Sequence, residues 1–168
     1  MPKIFLLGAM GAGKTTIGKL LSKELGYKYI DNDLELESLS NLSKSELSNL
    51  PVNQLHDWEL KYLEMISNLD VDLIAGVAAS VVDYPISRDY LKNSINIYLY
   101  LPLSKLQKRA GSSGIGRQAL GVDGEKIITE RFNRRDPIYR EVSQFVLELS
   151  DDSSRDKDQI IEFLKDKI

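Results

Sequence analysis

A short apolar run, Ile4 to Leu7, passes without a break into Gly8-Ala9-Met10-Gly11-Ala12-Gly13-Lys14-Thr15. A run of this length ending in glycine reads as a buried parallel strand. Beyond Lys14, the positions Ile17, Leu20, Leu21 and Leu25 recur at helical spacing, and Gly26 is a natural helix stop. The stretch between fits G-x-x-x-x-G-K-[ST] at every fixed position, in the strand–loop–helix context that this motif requires. Glycines let such a loop wrap so that its N–H groups face phosphate oxygens, and the following helix adds the positive end of its dipole. In this arrangement Lys14 reaches the β- and γ-phosphates and the Thr15 hydroxyl can ligate magnesium. The dinucleotide pattern G-x-G-x-x-G does not fit, because Gly8, Gly11 and Gly13 are spaced in the reverse sense. The chain is built to bind phosphate.

Strand and helix patterns alternate along the rest of the chain. Tyr27 to Ile30 reads as a second strand, followed by Asp31-Asn32-Asp33 and a helix from near Leu34. Ser38 to Val52 reads as short helical pieces. Asp57 to Ile66 reads as a helix with Trp58, Tyr62, Leu63 and Ile66 on its apolar side. Val71 to Ala75 and Ile95 to Leu101 are strand-like, with a short helix, Ser87 to Lys92, between them. Leu103 to Ala110 is helical, and Gly111-Ser112-Ser113-Gly114-Ile115-Gly116 breaks regular structure as a mobile surface loop. Glu125 to Arg134 reads as a strong helix that ends before Pro137. Phe145 to Leu149 is a last strand and Asp156 to Lys167 a last helix. This alternation predicts an α/β domain with a parallel sheet. No repeat or boundary divides it, so residues 1–168 are expected to form one domain.

Composition narrows the chemistry. The chain of 168 residues has no cysteine, which removes thiol catalysis and cysteine-type zinc sites. One histidine, His56, removes any multi-histidine metal centre. No apolar run approaches the ~20 residues of a membrane helix, and the opening apolar stretch is too short for a secretory signal. Cytoplasmic residence and no membrane partner are therefore expected. Basic residues number 22 against 25 acidic, net −3, whereas a nucleic-acid binder shows a basic excess or stripe. The bases cluster once, at Arg131, Arg134, Arg135 and Arg140, as either a solvated helix face or a local anion site.

A phosphate loop that starts eight residues into a one-domain chain favours a small kinase over a large ATPase or helicase. No N-K-x-D motif follows, which argues against a GTPase. The stretch from Ile4 to Glu37, with its loop and its Asp31-Asn32-Asp33, resembles the shikimate kinases. Arg134-Arg135-Asp136-Pro137-Ile138-Tyr139 is similar to their R-x-P-x-Y segment. The resemblance implies a three-layer P-loop kinase fold: a five-stranded parallel sheet, helices on both faces, and a mobile lid at about 111–121. It also implies transfer of the γ-phosphoryl group of ATP, with Mg2+, to a hydroxyl of shikimate or a related small polyhydroxylated molecule. The expectation is a monomer whose partner is that small molecule.

Carried over residue by residue, the resemblance places Gly11, Ala12, Gly13, Lys14, Thr15 and Thr16 on ATP and Arg109 beside its adenine. Thr15 and Asp31 become the metal residues. Lys14, Asp33 and Arg117 become the catalytic residues, Arg117 as a lid arginine that meets the nucleotide and the transferring phosphoryl group. Asp33 touches the acceptor hydroxyl, and strand-end alternation would aim Asp31 and Asp33 differently. The plainer reading of these two aspartates is a cap on the helix from Leu34. Arg135 matches one of two arginines that grip the shikimate carboxylate.

Three departures stand against the family pattern. Leu55-His56-Asp57-Trp58-Glu59 aligns with F-R-x-x-E, so His56 stands where the second arginine belongs, and imidazole is no substitute for a bidentate guanidinium. Val77-Ala78-Ala79 replaces a triple glycine that lets backbone approach the substrate ring, so its side chains should reshape the pocket. Gln118 follows Arg117 where the family has proline. The acceptor residues expected are Asp33, His56, Ala78 and Arg135. His56 is either a packed residue or a pocket residue, and Trp58 is core or pocket wall. Two alternatives stay open: a kinase of this type with a non-shikimate acceptor, and a nucleotide-binding protein without transfer activity that acts through partners.

Overall fold

The structure is a computed structural model that describes residues 1–109 and 124–168. Five strands form one parallel sheet: β1 (Lys3–Leu7), β2 (Lys28–Ile30), β3 (Leu73–Gly76), β4 (Ile95–Tyr100) and β5 (Phe145–Glu148), in the order β2-β3-β1-β4-β5. The helices are α1 (Lys14–Leu25), α2 (Asn32–Ser40), α3 (Lys44–Ser48), α4 (Val52–Asn68), α5 (Pro85–Leu91), α6 (Leu103–Lys108), α7 (Gly124–Val142) and α8 (Ser153–Leu164).

Side chains alternate across β1 and split the core in two. Phe5 and Leu7 join Leu36 of α2, Tyr62 and Ile66 of α4, Leu91 of α5 and Tyr139 of α7. Ile4 and Leu6 join Ile17 and Leu21 of α1, Leu106 of α6, and Ile160 and Leu164 of α8. The central strand is thus buried on both faces, as its unbroken apolar run requires. The expected three layers are present, and the expected lid at 111–121, with Arg117, lies outside the described residues.

This strand order puts the phosphate loop at the carboxyl end of β1, between β3 and β4, where open parallel sheets take their ligands. Two loop glycines are demanded by the backbone. A Cβ on Gly8 (φ 147°) would sit 2.8 Å from the Leu99 carbonyl oxygen, and Gly13 caps α1 at φ 111°.

The helix expected to stop before Pro137 does not stop. Helix α7 runs through it to Val142, even though proline has no N–H to give the preceding turn. Tertiary contacts hold the turn beyond. The buried Tyr139 hydroxyl donates to the Ala79 carbonyl at 2.5 Å, the Tyr98 hydroxyl donates to Asp136 Oδ1 at 2.7 Å, and the Arg140 guanidinium lies over the Tyr100 ring, 4.9 Å from its centroid. Helix α4 also begins earlier than its apolar stripe suggests, at Val52 after Pro51, with His56 and Glu59 on its cleft side. A single 3-10 turn, Ala79–Val82, follows β3 where no element was expected.

Candidate active site

The phosphate loop is held from two sides. Lys14 Nζ donates to the Gly8 carbonyl at 2.6 Å and the Ala9 carbonyl at 3.2 Å. From the end of α6, Arg109 Nη1 donates to the carbonyls of Gly11 at 2.9 Å and Ala12 at 3.3 Å. Arg109 therefore sits on the loop itself.

At the end of β2, Asp31 serves two masters. Its Oδ1 accepts from the backbone N–H groups of Asp33 at 3.0 Å and Leu34 at 3.1 Å, capping α2. Its Oδ2 accepts from the Thr15 hydroxyl at 2.9 Å and the Tyr29 hydroxyl at 3.2 Å. The capping reading of this residue is thus met, and its other oxygen is turned to Thr15 and Tyr29 on the cleft side. Burial pushes the Tyr29 phenol up, and the Asp31 charge adds to the effect, so this hydroxyl stays a donor. Its ring lies so close to α1 that a Cβ on Gly18 would overlap it. Asp33 sits one residue into α2, with its Oδ1 accepting from the Asn32 side chain at 3.2 Å.

Across the cleft, α4 and the turn after β3 build a second wall. Glu59 Oε2 accepts from the Ser80 hydroxyl at 2.5 Å. Burial pushes the Glu59 carboxyl up to about 7, with Asp33 and Asp83 adding to the rise and Ser80 and Arg135 opposing it. His56 stacks on Tyr84 with ring centroids 3.5 Å apart. Burial pushes its imidazole below the usual value, against the pull of Asp57 and Asp83, so the ring is neutral at pH 7. The Val77-Ala78-Ala79 turn has no residue at positive φ, so no glycine is demanded there. Val77 and Ala79 are buried and Ala78 is half-buried, and all three line the cleft. Trp58 packs at the rim of the core with Lys61 over its ring, and does not line the cleft.

One cleft of about 640 Å³ gathers these groups. Gly11, Ala12, Gly13, Lys14, Thr15, Thr16 and Arg109 line its phosphate side, while Asp31, Asp33, His56, Ala78 and Arg135 line the rest. Of the arginine cluster, Arg131 and Arg135 face the cleft, whereas Arg140 lies outward over Tyr98 and Tyr100. Glu59, Ser80 and Asp83 also line the cleft and were not among the expected site residues, and Arg131, expected on either a solvated face or a local anion site, lines it too. Glu59 could have been found, since it lies one helical turn from His56. Nothing in the sequence marked Asp83.

A family model described as Shikimate kinase matches residues 10–165. The chain belongs to the shikimate kinase family. It is 31% identical over 169 residues to the shikimate kinase of Acinetobacter baylyi, covering 96% of this chain and 90% of that one. To the shikimate kinase of a Psychrobacter species it is 33% identical over 174 residues, covering 98% and 93%. The solved shikimate kinase of Acinetobacter baumannii in complex with shikimate superposes with a TM-score of 0.88 at 26% identity, over 100% of this chain and 96% of the other. As a member of this family the protein is a phosphotransferase that acts on a hydroxyl group, with ATP as co-substrate. Among the described residues no helix is long and apolar enough to cross a membrane.

Proposed function

We propose that this cleft transfers the γ-phosphoryl group of ATP to a hydroxyl of shikimate or a related small polyhydroxylated molecule. The observation that carries the reading is that Lys14 and Asp33 lie on the walls of one cleft, joined through the Thr15–Asp31 hydrogen bond. The triphosphate lies along the loop from Gly11 to Thr16, with Lys14 on its β- and γ-oxygens and Arg109 on the nucleotide side. Arg117, which lies outside the described residues, carries over from the family only as a further charge for the transferring group.

The donor set fits magnesium. A threonine hydroxyl and a carboxylate oxygen, Thr15 Oγ1 and Asp31 Oδ2, lie 2.9 Å apart, and hard oxygen ligands completed by phosphates suit this ion. When bound, the ion neutralises charge on the phosphates. Asp33 stands one residue further on and orients the acceptor hydroxyl, taking its proton as transfer proceeds. His56, Glu59 and Ala78 form the opposite wall against the acceptor ring. Positioning and charge stabilisation supply the catalysis, with no covalent intermediate.

An acceptor-dependent ADP-release assay over shikimate, quinate, inositols and sugar acids tests the reading. ADP should form with a polyhydroxylated ring, and Asp33→Asn should lower kcat far more than it changes the KM for ATP. ADP release that no member of the panel stimulates would overturn it.

A further inference from the structure

Arg135, expected to grip a substrate carboxylate, is already gripped by a carboxylate of its own chain. Its Nε donates to Asp83 Oδ1 at 3.0 Å and its Nη2 donates to Asp83 Oδ2 at 2.7 Å. This is the fork-on-fork geometry in which a guanidinium holds a carboxylate most strongly. The two side chains are only 10% and 12% exposed, and Arg134 Nη1 adds a contact to Asp83 Oδ1 at 3.3 Å. The second position of the expected arginine pair holds His56, a neutral ring stacked on Tyr84. Its buried Nδ1 has no hydrogen-bond partner among the described residues. Asp33 and Glu59 put two more acidic groups in the same cleft, and Arg131, one turn earlier on α7, lines it as a further cation, apart from Lys14 and Arg109 on the phosphate side.

We propose that Asp83 is a specificity-determining residue that, by filling the fork of Arg135, selects an uncharged polyhydroxylated ring over its carboxylated counterpart. The inference rests on the reading above that the cleft phosphorylates such a ring. An entering carboxylate has two options. It displaces Asp83 from Arg135, leaving that nearly buried carboxylate with the longer Arg134 contact alone among the described residues, or it lies beside the like charge of Asp83 without the Arg135 fork; both are unfavourable. A neutral ring faces neither penalty, and its hydroxyls suit the imidazole of His56 and the carboxyl of Glu59.

The test compares shikimate with its carboxamide, a ring of the same shape and hydroxyl pattern with the charge removed. For the full chain, kcat/KM and the calorimetric dissociation constant are measured for both compounds. The wild type should favour the carboxamide at least tenfold. Asp83→Asn should move that ratio at least tenfold toward shikimate, mainly through KM, while Asp83→Glu, which keeps the charge, should restore the wild-type preference. A wild-type preference for shikimate would overturn the proposal, and so would a ratio that Asp83→Asn leaves unchanged. Loss of a shikimate preference in Arg131→Gln alone would assign the carboxylate to Arg131 instead. If Asp83→Asn does not fold, the wild-type ratio decides by itself. If neither ring is phosphorylated, the kinase reading fails, and the ratio of dissociation constants still decides this one.

Discussion

The Thr15 hydroxyl donates to Asp31 Oδ2 at 2.9 Å, tying the first turn of α1 to the end of β2 across sixteen positions of sequence. Asp31 also caps α2 through its other oxygen, so a single carboxylate supports a helix terminus and, in the function proposed above, a magnesium ligand. Asp31→Ala should therefore show two separable effects. Loss of the cap should cost about 1 kcal/mol in urea unfolding. Loss of the ligand oxygen should raise the magnesium concentration for half-maximal rate about tenfold, on the order of one charge-assisted contact. A variant with normal magnesium dependence would confine Asp31 to capping.

Lys14 bonds to the carbonyls of Gly8 and Ala9, outside both core clusters. Lys14→Met should lower kcat/KM about a hundredfold or more, because in the proposed function the lost charge acts on phosphate oxygens. Its unfolding free energy should stay within about 1 kcal/mol of the wild type, the net value of an ordinary hydrogen bond. Transfer at the parent rate would remove Lys14 from the mechanism.

Gly18 leaves room for the Tyr29 ring, which in turn places a hydroxyl on Asp31. Alanine at position 18 gains about 1 kcal/mol in helix propensity and forces the ring aside, an overpacking cost of about 1–3 kcal/mol. Gly18→Ala should be net destabilised, and Gly18→Ala combined with Tyr29→Leu should recover most of the loss. Thermal unfolding of the two variants measures this directly; a single variant as stable as the wild type would show that the ring yields freely.

Glu59 makes stability depend on pH in a stated direction. Its folded carboxyl is pushed up to about 7 from an ordinary 4.5, so between these values the folded state binds more protons than the unfolded one. Stability from this group is therefore full below about pH 4.5 and is lost as pH rises through 7. Glu59→Gln removes the charge that burial disfavours. Relative to the wild type, the variant should gain about 1–3 kcal/mol between pH 5 and pH 8. A stability difference that does not change with pH would show that Glu59 is ionised at no cost.

The sequence by itself determined the features whose causes are local. The phosphate loop is legible because eight consecutive residues carry its conformation and its chemistry. The alternation of strand and helix is legible because burial imprints its period on neighbouring side chains, as Ile4 to Leu7 and Ile17 to Leu25 show. Asp31 and Asp33 could be singled out because they stand together at the end of a short strand.

Tertiary structure alone decided what depends on distant partners. Helix α7 passes Pro137 because Tyr139, Asp136 and Arg140 find contacts on β4 and the turn after β3, which outweigh the missing N–H. Arg109 reaches the loop from 98 residues away, and Asp83 meets Arg135 across 52. Both meetings follow from the strand order, which brings the ends of β1, β3 and β4 side by side. Asp83 has no local pattern, since a lone aspartate after a 3-10 turn is an ordinary surface residue until α7 is laid over it.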